Sequence, residues 1–388
     1  MTCQRVTLGE VAEFINGVAF KPVDWEDTGK RIIRIQNLND PSKPFNRTTC
    51  EVDSKYHVHP GDILVSWSAS LGVFEWKEPD TALVNQHIFR VLPKLDRVDK
   101  VYLRHMLIDA LEDMERHLHG ATMKHVNRRE FLATKIPLPP LAEQKRIAGI
   151  LDAADALRAK RRESLAQLDM LIQATFLEMF GDPVANPKGW DESPVAAVCE
   201  SPDDIKCGPF GTQLQQHEFQ ESGVPLWGIK HVNAGFAVDT DEFVSSKKAS
   251  KLRQYSIEAG DIVMTRKGTI GKCHVFPVSK QPGIMHSDLL RLRVDPRRAS
   301  PEFIASQFML SRKIRRQLEM MSPGAVMPGI NVTKLKKLDI EIPPVELQNQ
   351  YADRLKKIRN EIGLADTHRH VLDDLFASLQ AQAFAGGL

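Results

Sequence analysis

The chain has 388 residues, 42 % hydrophobic and 26 % charged, with a formal net charge of +2. That balance excludes a disordered chain and fits an ordinary globular protein of two to three domains. No apolar run approaches the roughly 18 residues a membrane helix needs, and the opening MTCQRVTLGE lacks a signal-peptide core, so a cytoplasmic location and no membrane partner are expected.

The first globular part, 1–140, reads as short β runs (RIIRI, DILVS, IFRVL), turns rich in Gly, Pro and Asn, and a helix near 100–117. Its end, IPLPP at 136–140, is extended. Paired prolines stop a strand, and the second suits the first turn of a helix. Glu143 in that opening turn is favoured by the helix dipole.

A long helix is predicted over 141–180, with Ile147, Leu151, Leu165, Leu168 and Ile172 on one stripe that Arg158 and Arg161 interrupt. Residues 181–190, dense in Pro and Gly, read as a linker. The second globular part, 186–344, repeats the first in kind, with β runs LWGIK, DIVMT and LLRLRV and one or two helices near 301–320. A second long helix, 345–388, carries Leu355, Ile358, Ile362, Leu372, Phe376 and Leu379, with Arg369 as its polar interruption.

These halves are one unit stated twice. TGKRIIRIQNLN (28–39) parallels SGVPLWGIKHVN (222–233), and YHVHPGDILVS (56–66) parallels YSIEAGDIVMT (255–265). GATMKHVN (120–127) parallels GAVMPGIN (324–331), and IPLPPLAEQKRIAGIL (136–151) parallels IEIPPVELQNQYADRL (340–355). The offset grows from 194 to 204 and then holds, so the insertions fall in the globular parts and spare the proline–helix junction. The expected fold is α+β, with two similar mixed domains separated by two long helices. Each helix would find a partner for its stripe in the other, as an antiparallel coiled coil. Two unrelated core helices are the alternative, although core helices are usually nearer 10–14 residues.

No catalytic constellation stands. RKGTIGKCH (266–274) lacks the glycine and hydroxyl residue of a phosphate loop, and GxSxG and HExxH are absent. Leu-Pro-Pro-Leu and Ile-Pro-Pro-Val lack the polar and aromatic residues with which an amino-methyltransferase grips its target. Asp62 and Asp261 sit alone in Gly-Asp-Ile turns and read as turn residues. Five scattered cysteines contain no CxxC pair, and His57, His59, His117 and His119 have no partner at ligand spacing, so no metal is expected. The chain reads as a binder.

Twin modules suit a ligand with two sites at fixed separation, and duplex DNA is one. Residues 186–339 carry 22 Lys+Arg against 17 Asp+Glu, whereas 1–135 is neutral. Candidate base readers are Arg34, Gln36, Asn37 and Asn39 in the first unit and Lys230, His231 and Asn233 in the second. Candidate phosphate contacts are Lys124, Lys247, Lys248, Lys251, Arg253, Arg266 and Lys267, with Arg291, Arg293, Lys334, Lys336 and Lys337 as further basic clusters. The competing reading of each is a strand cap or a solvated face.

The Pro-Pro-x-x-x-Q helix starts, the GDILVS and GDIVMT segments, the NPKGW entry at 186–190 and the two long helices resemble the specificity subunit of type I restriction–modification systems, over essentially the whole chain. That resemblance implies two target-recognition domains, each reading half of a split sequence, and helices that set the spacing and dock partners. It implies no catalysis and no cofactor on this chain. Two methyltransferase subunits would bring S-adenosylmethionine, and two restriction (translocase/nuclease) subunits would bring ATP and Mg. The alternative function is a helical scaffold whose end domains bind protein and not DNA.

Overall fold

The computed structural model describes residues 4–117, 127–266, 272–320 and 330–385. The chain divides into two units, Met1–Arg162 with Thr367–Leu388, and Glu163–Asp366. The expected α+β class and the internal repeat are both present, and the repeat extends to the hydrogen-bonding topology.

In the first unit one sheet has the order Ala12–Asn16, Ile88–Pro93, Ile63–Ser66, Gly72–Glu75. A second has Asn46–Thr48, Lys30–Ile33, Ala82–Val84, His57–Val58, and Arg5–Thr7 pairs with Lys135–Pro137. The second unit repeats all three: Ile205–Cys207, Leu289–Leu292, Ile262–Thr265, Cys273–Val275; then Phe243–Val244, Val224–Trp227, Gly283–Met285, Ser256–Ile257; then Glu192–Pro194 with Asp339–Glu341. Even the parallel pairing recurs, Ile32 opposite Leu83 and Leu226 opposite Ile284. The equivalent turn glycines Gly61 and Gly260 take φ of 88° and 90°, a region open to glycine at little cost.

The paired Gly-Asp-Ile turns hold their aspartates as turn residues, and each aspartate also meets an arginine. Asp62 accepts from the His59 amide at 2.9 Å and also from Arg90 Nε at 2.8 Å. Asp261 accepts from the Glu258 amide at 2.8 Å and from Arg293 Nε and Nη2 at 2.7 and 2.8 Å. The turn role stands, and an arginine from the neighbouring strand is clamped to it. The helical run expected near 301–320 is two helices, Pro301–Leu310 and Arg312–Met320, parted at Ser311, whose hydroxyl accepts from the Ile314 amide at 3.3 Å. The second proline of each pair stands just ahead of its helix, with the Pro140 and Pro344 carbonyls accepting the first helical amides.

The doubled Pro-Pro-x-x-x-Gln motif has a mechanical reason. Gln144 and Gln348 are fully buried. Gln348 Nε2 donates to the Pro343 carbonyl at 2.7 Å while its Oε1 accepts from the Ser300 amide at 2.9 Å. Gln144 Nε2 donates to the Pro139 and Arg97 carbonyls at 2.8 and 3.0 Å, and its Oε1 accepts from the Asp99 amide at 2.8 Å. Asp99 and Ser300 immediately precede the helices Lys100–His117 and Pro301–Leu310. One side chain therefore ties the strand exit, the start of the long helix and the start of a core helix into a single joint.

The long helices are Leu141–Phe180 and Val345–Ala385. In the first unit Ile147, Ala148 and Leu151 share a core with Phe376, Leu379, Ala383 and Phe384. In the second unit Ile172, Phe176, Met179 and Phe180 share a core with Tyr351 and Leu355. The beginning of each helix thus meets the end of the other, so the pair is antiparallel. Leu165, Leu168, Ile358, Ile362 and Leu372 are half-buried along the same stripe. Arg158 does not break the seam as the sequence implied: its Nε donates to Asp373 at 2.7 Å and its guanidinium lies 4.4 Å from the Phe376 ring centre. Residues 181–190 are tied to the end of the first helix, with Trp190 Nε1 donating to the Phe180 carbonyl and Lys188 Nζ to the Met179 carbonyl, both at 2.8 Å.

Replacing Gln348 with Met keeps the volume but leaves the Ser300 amide and the Pro343 carbonyl unpaired, at a cost of about 1–3 kcal/mol for each buried group. We expect a clearly lower urea midpoint for Gln348→Met and an unchanged one for Asn349→Ala, whose side chain is exposed. Equal midpoints for the two variants would remove the joint from the account.

Candidate nucleic-acid interface

The candidate base readers do not lie at strand ends. The runs RIIRI and LWGIK stop at Ile33 and Trp227, and the chain turns into one-turn helices, Ile35–Asn39 and Ile229–Asn233. Asn37 and His231 cause the turn. The Arg34 amide donates to Asn37 Oδ1 at 3.2 Å, and the Gly228 amide donates to His231 Nδ1 at 2.9 Å. Asn37 Nδ2 also donates to the Lys43 and Pro44 carbonyls. Both side chains are buried, so they shape the turn and are closed to a base edge in this structure. Asn39 and Asn233 are exposed and Gln36 is half-buried.

Arg34 stands over the Trp25 ring at 5.2 Å and donates to Asn46 Oδ1 at 3.0 Å. Lys230 is exposed and paired with Asp241. In the second unit the helix Ser246–Lys251, capped by Ser245, carries Lys247, Lys248 and Lys251, with Arg253 directly after it. Lys247, Lys251 and Arg253 are exposed, whereas Lys248 is held by Glu218 at 2.6 Å. Arg291 is buried and donates to the Ser256 and Asp203 carbonyls, and Arg293 is clamped to Asp261. Those two arginines hold the fold and are not a phosphate cluster. Lys124 and Lys267 lie outside the described residues.

Around Arg266 the second unit opens into a cleft of about 380 Å³ lined by Lys206, Phe210, Tyr255, Arg266, Asn331 and Thr333, among others. Arg266 lies over the Phe210 ring, 4.8 Å from its centre, and Nη1 donates to the Ser287 carbonyl at 3.2 Å. Sequence reasoning found Arg266 but missed Phe210, Lys206 and Asn331. An aromatic inside the turn-forming run Gly208-Pro209-Phe210-Gly211 was the available signal, because burial cannot explain a large ring there. The equivalent strand end in the first unit carries Trp67 in place of Arg266: the Trp67 amide donates to the His87 carbonyl as the Arg266 amide does to Asp288. Trp67 stacks on Phe89 at 5.5 Å, and its Nε1 donates to Asn16 Oδ1 at 3.2 Å.

Two histidines support the turn that carries Lys230 and Asn233. Burial, and after it the Lys230 charge, lowers the His231 pKa. Burial, followed by the charges of Arg359 and Lys272, pushes His274 down to about 4. Lys272 Nζ donates to the Asn233 carbonyl at 3.1 Å. Among the described residues no group of three or more His, Cys, Asp or Glu is placed to hold a metal ion, and no helix is long and apolar enough to cross a membrane.

The family described as the type I restriction modification DNA specificity domain matches residues 2–168 and again 187–372. The chain belongs to that family. It is similar to the specificity subunit of type I restriction enzyme MjaVIII of Methanocaldococcus jannaschii, 26 % identical over 317 residues spanning 79 % of this chain and 74 % of that one. It is also similar to the EcoBI specificity subunit of Escherichia coli, 24 % identical over 428 residues spanning 99 % and 86 %. The fold matches the crystal structure of the S subunit of a type I restriction–modification system from M. genitalium. There the TM-score is 0.61 at 12 % identity, over 99 % of this chain and 96 % of that one.

A histidine whose pKa is lowered by folding binds its proton more readily in the unfolded chain. Its contribution is therefore whole above about pH 6.5 and is lost as pH falls toward 4. We expect stability to decline through that window and the decline to be shallower in His274→Gln. Chemical denaturation at pH 7.5 and 5.0 checks this, and identical pH slopes would contradict it.

Proposed function

We propose that this chain is the DNA-reading subunit of a type I restriction–modification complex. Each unit reads one half of a two-part duplex sequence, and the antiparallel helices fix the interval between the halves. The observation that carries this reading is one specificity domain present twice, in units of the same strand order, with both long helices running unbroken from one unit into the other. Exposed basic residues beside polar side chains supply phosphate contacts, which position a protein on the duplex without reading it. Because Trp67 stands where the other unit has Arg266, the two half-sites differ in sequence.

The chain recognises and does not catalyse, acting in the cytoplasm with two methyltransferase and two restriction subunits. S-adenosylmethionine, ATP and Mg reside on those partners. Support for docking along the helices comes from large apolar side chains left exposed off the seam. They are Leu157, Val371 and Leu375 in the first unit, and Met170, Leu171, Leu177 and Leu364 in the second. Protein-binding end domains with no DNA role are the second reading, and only the first expects duplex affinity that falls steeply with salt.

Mapping methylated adenines in DNA exposed to the assembled complex should yield two short defined words separated by an unread gap of constant length. A contiguous motif would refute the proposal. Inserting one heptad after Arg162 and another after Asp366 preserves the seam and adds ~10 Å of helix, about three base pairs at 3.4 Å per step. The gap should lengthen accordingly while both words stay the same; altered words at constant gap would overturn the role of the helices.

A further inference from the structure

We infer that Phe210 and Arg266 form a base-reading pair that selects a thymine beside a guanine in the half-site read by the second unit. This rests on the reading that the second unit contacts one half-site, and it assigns specificity to residues within that unit.

The first consideration is how Phe210 is held. A Cβ at Gly208 would lie 2.1 Å from the His286 carbonyl oxygen, so only glycine permits this approach. The Gly208 amide donates to the Leu289 carbonyl at 3.0 Å, and Pro209 is buried. Beyond them the Phe210 amide donates to Gln213 Oε1 at 3.0 Å, an atom that also accepts from the Tyr255 hydroxyl at 2.9 Å. The backbone on either side is therefore fixed, yet the residue is 53 % exposed. A rigid mount that presents a large apolar ring to water is costly unless something covers the ring.

The second consideration is what sits beside it. Arg266 covers part of the ring at 4.8 Å and spends Nη1 on the Ser287 carbonyl, leaving donors of its planar fork to meet a ligand. Asn331 and Thr333 line the same cleft beside Lys206, whose Nζ is paired with Asp203 at 2.9 Å, so polar groups surround the fork. In the major groove a planar donor fork matches the O6 and N7 acceptors of guanine. A phenyl ring has no polar atom to offer, and the C5-methyl of thymine is the apolar group that groove displays. Guanidinium and ring touch each other, so the bases they meet must be neighbours.

The contrast between the units supports the assignment. Gly17 approaches the Asn85 carbonyl oxygen at the same 2.1 Å, which aligns Ala19 with Phe210, while Trp67 aligns with Arg266. The mount is shared and the side chains mounted on it are different, as expected where two modules read different words.

The test uses the full chain assembled with its methyltransferase subunits. Methylation-site mapping compares wild type, Phe210→Ala and Arg266→Ala. We expect Phe210→Ala to lose discrimination for thymine at one position by about fourfold, the worth of one methyl group, and Arg266→Ala to lose it for guanine at the adjacent position by roughly 5- to 150-fold. The other half-site stays unchanged in both variants and reports that they are folded. Replacing that thymine with deoxyuridine, which lacks only the methyl group, should weaken wild-type binding by about fourfold and leave Phe210→Ala unaffected. An unaltered motif in Phe210→Ala, uniform weakening at all positions, or a half-site without adjacent thymine and guanine overturns the pair. A wild-type complex yielding no two-part motif would instead overturn the parent reading.

Discussion

The structure depends on the joint at which each globular part passes into its long helix. A strand ends, two prolines forbid its continuation, and a buried glutamine binds the last carbonyls to the start of a core helix. Glutamine suits this place because one planar amide offers both donors and an acceptor. Glutamate lacks the donors, and an apolar residue would leave buried peptide groups unpaired. With the joint fixed, the direction in which the helix leaves the unit is fixed as well, and the packing of Leu151 or Leu355 into the unit core follows.

Such a joint explains where the repeat tolerates change. Between the equivalent strands the offset rises from 187 (Arg5 to Glu192) to 204 (Lys135 to Asp339), and across the proline–helix junction it does not move. Loops ending on solvent absorb insertions at small entropic cost. An insertion between Pro343 and Gln348, in contrast, would rotate the glutamine away from Ser300. The basic helix Ser246–Lys251 is one product of that freedom: the first unit has only the short turn Ser54–Tyr56 ahead of its matching strand.

The fold was largely legible in the sequence for the same reason. Repeats, paired prolines and a helical stripe are signals of period and order, and these survive without coordinates. The candidate contacts were less legible because a polar residue type does not reveal its employer. Asn37 and His231 have the chemistry of base readers, but in the structure they accept backbone amides and are buried; asparagine serves both tasks equally well. Arg291 and Arg293 looked like a phosphate cluster, but Arg291 is buried in its strand and donates to backbone carbonyls, and Arg293, one residue past the strand end, is clamped to Asp261. Phe210 was passed over because an aromatic invites the assumption of a core position, and only its exposure separates it from the seventeen phenylalanines as a group.

A duplicated fold faces a particular constraint: its two copies must keep one frame and yet be able to differ in the side chains they present. The equivalent positions show how both demands are met. Arg90 and Arg291 occupy matching strand positions, and each is committed to a backbone carbonyl of its own unit, Lys55 and Ser256; the frame cannot spare them. Gly17 and Gly208 are likewise bound by a carbonyl 2.1 Å from any added Cβ. Two residues further along, and at the end of the adjacent strand, the units diverge to Ala19 with Trp67 and Phe210 with Arg266, and the bonds differ too: Trp67 Nε1 donates to Asn16 Oδ1, and Arg266 Nη1 donates to the Ser287 carbonyl. Substitution at those places changes what is presented without disturbing what presents it. A frame held by buried polar joints can therefore change what one unit presents while the other unit stays as it was.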